Sequence, residues 1–240
     1  MKLTRLAWTV GFGVSLMSVQ LYAGNSIDVT NDFTCVFSGG NADWDDEGDW
    51  SNCGGGIPNN DGTSTFDAVV DGGDLDIDGA TGDITIDDLF LNGGVIDQTS
   101  VDLSVDTLNI ANGAEFNLGS GATLMVELLT GELNALSGST LAGTPDNPFT
   151  ISADGSIDVR SGTTVLTGNL VNDGTISFDS GNTSTTGETL FVSGDVTLSG
   201  NGTLNLSGDT FNEITGNAEI HSPTRRGIRS RAPRLLVAPS

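Results

Sequence analysis

At residues 155–159 the chain reads Gly-Ser-Ile-Asp-Val, and at residues 174–178 it reads Gly-Thr-Ile-Ser-Phe. Both segments follow one pattern: glycine, polar, apolar, polar, apolar. The pattern recurs at residues 73–77, 82–86, 194–198 and 202–206. Alternate residues of a β-strand point to opposite faces, so each unit predicts a strand of three to five residues with one buried face. Because so short a unit cannot enclose a core alone, we expect the copies to stack on one another.

The spacing of the units favours a parallel stack. Gly155, Gly174 and Gly194 are separated by 19 and 20 residues, which predicts rungs of about 20 residues in an all-β parallel β-helix, or solenoid. Pairs such as Asp173-Gly174 would supply positive φ at the corners. The same pairs are typical of β-hairpins, so an antiparallel β-sandwich is the alternative fold.

Changes in composition divide the chain into four segments. These are a signal peptide at residues 1–23, an N-terminal cap at 24–60, a solenoid body at 61–216 and a basic, flexible tail at 217–240. Lys2 and Arg5 precede an apolar stretch at residues 6–19, and small residues follow at Ala23 and Gly24, as in secretory signals. We therefore expect a protein that is exported from the cytoplasm.

The charge distribution restricts the partners. All 32 acidic residues lie between residues 24 and 224, where Arg160 is the only lysine or arginine. A field of this sign repels nucleic acid and anionic membranes, so neither is an expected partner. Extracellular glycans or proteins are the expected partners, and the oligomeric state is left open. Within the tail, residues 225–240 contain five arginines and no acid, which indicates either a basic arm or the end of a truncated or frame-shifted reading.

The two cysteines, Cys35 and Cys53, lie close to the predicted start of the exported chain. In an oxidising compartment they are expected to form a disulfide, and a metal pair is the alternative. Phe33, Trp44 and Trp50 are crowded beside them. These aromatics are expected to cover the open end of the solenoid, or alternatively to form a platform on which sugars stack.

The cysteine and tryptophan positions continue into Ser51-Asn52-Cys53-Gly54-Gly55-Gly56, Pro58 and Asp67-Ala68-Val69-Val70. Together with the repeated units, this string resembles secreted bacterial β-strand-repeat proteins of the autotransporter-passenger and filamentous-haemagglutinin kind, over roughly residues 35–207. The resemblance implies a right-handed parallel β-helix outside the cell, in an adhesive or matrix role. It implies no catalytic residues.

One metal site is predicted. Asp74, Asp76 and Asp78 precede Gly79 in the order of the first half of a calcium loop, although Thr85 stands where a bidentate glutamate is wanted. The alternative is that these aspartates face solvent on an amphipathic strand. A second acidic cluster, less regular, contains Asp43, Asp45, Asp46, Glu47 and Asp49.

No catalytic activity is expected. The solenoid body has no lysine or histidine, so a lyase would lack its usual base, and the sole histidine, His221, lies in the tail. Arg160 beside Asp158 is interpreted as a surface ion pair. The leading hypothesis is a structural or adhesive protein, and the alternative is a carbohydrate-binding or carbohydrate-active β-helix.

Overall fold

The computed structural model describes residues 33–60, 64–178, 187–206, 212–217 and 220–221. These residues form 18 β-strands and a single-turn 3-10 helix at Glu47–Asp49, with no α-helix among them. The strands are β1 Phe33–Phe37, β2 Asn41–Asp43, β3 Trp50–Ser51, β4 Phe66–Val70, β5 Asp74–Ile77, β6 Ile84–Leu91, β7 Val95–Gln98, β8 Asp102–Ile110, β9 Glu115–Leu118, β10 Thr123–Ala135, β11 Thr140–Ala142, β12 Phe149–Val159, β13 Thr163–Asn172, β14 Thr175–Phe178, β15 Thr189–Ser199, β16 Thr203–Asn205, β17 Glu213–Gly216 and β18 Ile220–His221. The predicted signal peptide lies outside the described residues.

The strands form a single sheet wound into a parallel solenoid. Among the described strands, only β1 with β3 pairs antiparallel, and every other pairing is parallel. The predicted all-β parallel solenoid is confirmed, and the antiparallel sandwich is wrong. The turn pairs that resemble hairpins instead lie where one face of the solenoid meets the next.

The solenoid has three faces. Face 1 contains the first halves of β6, β8, β10, β13 and β15, together with β11 and β17. Face 2 contains β1 and β4, the second halves of β6, β8, β13 and β15, the middle of β10, the first half of β12, and β18. Face 3 contains β2, β5, β7 and β9, the ends of β10 and β12, and β14 and β16. Their inward apolar side chains form one continuous core.

Face 3 carries the repeated unit that the sequence shows. Its inward positions align in register from rung to rung as Leu75, Ile96, Phe116, Leu133, Ile157 and Ile176, all buried. The residue that precedes each of these strands is a glycine at every rung except one, where it is Ala114. A β-carbon at Gly174 would overlap the Gly155 carbonyl oxygen of the neighbouring rung, although φ at Gly174 is not positive. At this corner glycine is therefore required by close backbone approach, and not only by positive φ as the sequence suggested.

The rungs are less regular than predicted. The first residue of the face 3 strand recurs after 17 residues between Glu115 and Glu132, and after 28 between Thr175 and Thr203. Six strands, β6, β8, β10, β12, β13 and β15, are longer than the predicted three to five residues, because each of them continues from one face to the next without a break. Length variation is absorbed at the corners, since the strands themselves are held in register by their neighbours.

The N-terminal end of the solenoid is closed by a disulfide between Cys35 and Cys53, with a Cα–Cα distance of 4.8 Å. The Trp44 and Trp50 rings meet edge to face, and both side chains are buried. Their indole N–H groups donate to Pro58 O at 3.1 Å and to Trp44 O at 2.9 Å respectively. The tryptophans therefore cover the core, and their burial rules out a sugar platform. The first rung of the solenoid lies within the predicted N-terminal cap, because β1 and β2 already pair in parallel with β4 and β5.

Candidate functional site

A groove of about 700 Å³ lies on the outside of the solenoid where faces 2 and 3 meet. We call it the corner groove. It is formed by residues 109–115 of one rung, by β10 of the next and by β12 of the third. Its lining residues are Asn109, Ile110, Ala111, Asn112, Gly113, Ala114, Glu115, Leu128, Thr130, Gly131, Glu132, Asn134, Ser152, Asp154, Ser156 and Arg160.

The groove arises from a mismatch in corner length. Two residues of one rung, Asn109 and Phe116, pair with Thr130 and Leu133 of the next rung respectively. Between these matched points β10 turns the corner through Gly131 alone, whereas the preceding rung uses residues 110–114. The extra residues form a tight turn at Ala111–Ala114, closed by a hydrogen bond of 3.1 Å from the Ala114 N–H to the Ala111 carbonyl. This turn must project outward beside the sharper corner, and it forms one wall of the groove.

Arg160 provides the positive charge of the groove. It is the only lysine or arginine in the described part of the chain. Its Nε donates to Asp158 Oδ2 at 2.8 Å, and its Nη2 lies 3.6 Å from Glu132 Oε1. The predicted pair with Asp158 is therefore present, but Arg160 also lines a concave site, which the amino-acid pattern alone does not reveal. Glu115, Glu132 and Asp154 also line the groove, so carboxylates outnumber the single guanidinium.

A ladder of polar side chains runs along the outside of face 3 into the groove. Asn117 Nδ2 donates to Asp97 Oδ1, and Asn134 Nδ2 donates to Asn117 Oδ1, both at 2.8 Å. The next rung places Asp158 opposite Asn134, and Ser177 Oγ donates to Asp158 Oδ1 at 3.3 Å. The hydrogen bonds of the ladder therefore run towards Asp97 from one side and end at Asp158 on the other. Asn134 Oδ1 and the Asp158 carboxylate are both acceptors, so they cannot hydrogen-bond to each other.

Asn134 is only 4% exposed, and its Oδ1 has no hydrogen-bond partner among the described residues. Ser152 Oγ, also buried, lines the same groove and has no partner in that part of the chain either. Buried polar atoms are nearly always hydrogen-bonded in folded proteins. The lining of the groove thus combines two unpaired polar atoms with one guanidinium, and these groups suit a ligand with hydroxyl groups. Neither Asn134 nor Ser152 was singled out by the sequence.

The structure places the predicted calcium residues on an extended strand. Asp74 and Asp76 are exposed on the outer side of β5, while Leu75 and Ile77 are buried. Asp78 follows the strand, and its Oδ1 accepts a hydrogen bond of 2.8 Å from the Ala80 N–H. Within the described residues, no three acidic, histidine or cysteine side chains come together as a metal-binding group, and this includes the second acidic cluster. Calcium binding by the three aspartates stays a prediction.

Two carboxylates have raised pKa values. Although Asp76 is exposed, partial desolvation by the surrounding chain raises its pKa, and so do the neighbouring charges of Asp97, Asp43, Asp78 and Asp74. Asp43, Asp76 and Asp97 stand at matched positions on successive rungs of face 3. Like charges stacked in this way disfavour ionisation of the middle member.

Asp106 lies where faces 1 and 2 meet. Its pKa is raised to about 6, chiefly by desolvation and in addition by the charges of Glu127, Asp87 and Asp88. More than a third of the Asp106 surface remains accessible to solvent, so the energetic effect of this shift is reduced by screening. The strand register places Asp87, Asp106 and Glu127 one above another on three rungs. The negative charges of this stack repel one another, and the stack contains no basic residue that would offset the repulsion.

Within the described ranges, no helix has the length and apolar character needed to cross a membrane. Comparison of the chain with protein-family models, with curated proteins and with solved structures finds no match.

Proposed function

We propose that this protein is an exported bacterial structural and adhesive protein of the cell surface or extracellular matrix. The observation that carries the proposal is the continuous parallel solenoid whose end is closed by the Cys35–Cys53 disulfide. Disulfides of this kind are typical of oxidising, extracellular compartments. Solenoids also present long regular surfaces along which binding can be distributed.

Three further observations support the proposal. The outward positions of face 3 are predominantly aspartate, asparagine, serine and threonine, which keep a sheet surface hydrated. Residues 1–23 have the composition of a secretory signal. The cap and the repeated units resemble secreted β-strand-repeat proteins of the autotransporter-passenger and filamentous-haemagglutinin kind. No catalytic activity is proposed.

The test is the location and redox state of the protein in the cell that encodes it. We expect antibody labelling and protease shaving of intact cells to reach the protein, and mass spectrometry to find a chain that starts at Gly24 with its cysteines oxidised. A deletion strain should adhere less well to surfaces or to neighbouring cells. A cytoplasmic chain with residues 1–23 retained and both thiols reduced would contradict the proposal.

A second candidate is a carbohydrate-binding protein, and the corner groove is the observation that favours it. Sugar sites commonly combine carboxylate and amide groups with aromatic rings on which the sugar stacks. The groove has the carboxylates and the amides, but no aromatic side chain lines it. Adhesion through the groove would thus rest on hydrogen bonds.

A further inference from the structure

We infer that the corner groove binds a neutral oligosaccharide, with Asn134, Ser152 and Arg160 as its polar contacts. This inference rests on the second candidate function and deepens it, because it assigns a ligand class and a defined ligand site to one stretch of the solenoid. It does not depend on where the protein is located. The inference starts from the two buried polar atoms of the groove that have no hydrogen-bond partner among the described residues.

The first step concerns Asn134. Its amide orientation is fixed by the ladder, because Nδ2 donates to Asn117 Oδ1 at 2.8 Å. Oδ1 therefore remains an acceptor, and the residue opposite it on the next rung is Asp158, which is itself an acceptor. A hydroxyl group that donates to Asn134 Oδ1 would complete the ladder. An unpaired buried acceptor is unfavourable in the free protein, so this hydrogen bond favours ligand binding.

The second step concerns the chemistry of the ligand. Ser152 Oγ can donate or accept, and Arg160 supplies N–H donors elsewhere in the lining, so the groove matches groups that both donate and accept. Hydroxyl groups on a saccharide have this property. Ala111 and Leu128, both partly exposed, add apolar surface for the C–H side of a sugar ring.

The third step concerns charge and size. Glu115, Glu132 and Asp154 line the groove against the single charge of Arg160, and the whole chain carries a net charge of −24. Uronic acid or sulfated sugars are therefore repelled, and neutral sugars are favoured. A volume of about 700 Å³ lies within the usual range for small-ligand sites and accommodates a short oligosaccharide.

The experiment begins with an array of neutral and anionic glycans, probed with the oxidised protein, followed by titration calorimetry on the best neutral oligosaccharide. Two variants test the site. Arg160→Gln should weaken binding by about tenfold or more, because a hydrogen bond from a charged donor is lost. Ser152→Ala should weaken binding by about threefold to tenfold. Ser104→Ala, an outward serine of face 1 away from the groove, is the matched control and should bind as the unmodified protein does.

Thermal unfolding separates a ligand site from a structural role. Ser152→Ala removes a buried hydroxyl that has no partner in the described chain, so its Tm should be unchanged or higher while its affinity falls. The inference is overturned if no neutral oligosaccharide binds, if anionic glycans bind more tightly, or if both groove variants bind as well as Ser104→Ala.

Discussion

At the scale of single residues, the corner glycines are the positions at which the solenoid tolerates least change. Gly131 and Gly113 both have φ of 88°, and they turn the same corner on neighbouring rungs. A β-carbon at Gly131 would overlap the Ile110 carbonyl oxygen, whereas nothing lies within 4 Å of the position of a β-carbon at Gly113. Both positions therefore require a residue that adopts a positive φ, but only at Gly131 would a β-carbon also clash with the neighbouring rung.

This pair gives a matched prediction. Gly113→Ala should lower the free energy of unfolding by about 1–2 kcal/mol, the cost of a left-handed conformation for a residue with a β-carbon. Gly131→Ala should cost at least about 3 kcal/mol, because the backbone of two rungs must also separate. Equilibrium urea denaturation measures both. Equal losses would show that close rung packing at this corner contributes nothing.

Asp106 gives a prediction about pH. Its pKa is 3.8 in the absence of interactions and about 6 in the folded protein, so the folded state binds the extra proton between these values. The contribution of this group to stability therefore decreases as pH rises from about 4 to about 6. Asp106→Asn should raise the Tm by about 1–3 °C above pH 6, after allowance for solvent screening, and the gain should vanish below pH 4.

Scanning calorimetry of Asp106→Asn across this pH range provides the measurement. Asp45→Asn, which removes one negative charge from the exposed N-terminal loop, is the control for net charge. A gain that is the same at pH 3.5 and pH 7, or that Asp45→Asn reproduces, would contradict the assignment to the Asp87, Asp106 and Glu127 stack.

At the scale of elements, the repeated glycine unit predicted face 3 well. Residues 73–77, 155–159, 174–178 and 202–206 all lie there, with their apolar residues inward. Two other copies, residues 82–86 and 194–198, lie on faces 1 and 2. The unit encodes a strand that follows a corner, and this is a local property. Which of the three corners a strand follows depends on rung lengths, and only the stacked structure fixes these.

The corner groove shows why the candidate site escaped prediction. It requires residues 110–114 on one rung to align with Gly131 alone on the next, and it requires Asn134 to meet Asp158 across a further 24 residues. A single sequence of variable rung length does not determine these alignments. Arg160 is conspicuous in the sequence as the only lysine or arginine between residues 24 and 224, but its place in the groove depends on these same strand registers.

The N-terminal end is an element whose stability can be tested separately. In a solenoid each rung contacts chiefly its neighbours, so damage at one end should remain local at first. Replacing both cysteines, Cys35→Ser with Cys53→Ser, removes the disulfide that closes this end and should cost about 2–4 kcal/mol. Hydrogen exchange should then show lost protection in β1 to β4 and little change in β12 to β14.

Reduction of the unmodified protein is the companion measurement, and it should reproduce the exchange pattern of the double variant. An unchanged Tm together with unchanged protection of β1 would show that the buried Trp44 and Trp50 side chains are sufficient to close the end. A uniform loss of protection along all the rungs would instead indicate that the solenoid unfolds as one cooperative unit.

At the scale of the whole molecule, charge is the dominant feature. A net charge of −24 on a chain of 240 residues, with a stack of Asp43, Asp76 and Asp97 on face 3 and another around Asp106, implies strong repulsion within the folded state. Sodium chloride should therefore raise the Tm between about 0.01 and 0.3 M, because the screening length falls from about 30 Å to less than 8 Å. Thermal unfolding followed by circular dichroism measures the effect, and a Tm that falls or stays constant would contradict it.

Calcium chloride at matched ionic strength then isolates any specific site. A further rise that Asp76→Asn abolishes would establish calcium binding by Asp74, Asp76 and Asp78, whereas equal curves for the two salts would identify these aspartates as solvating charge on an extended strand.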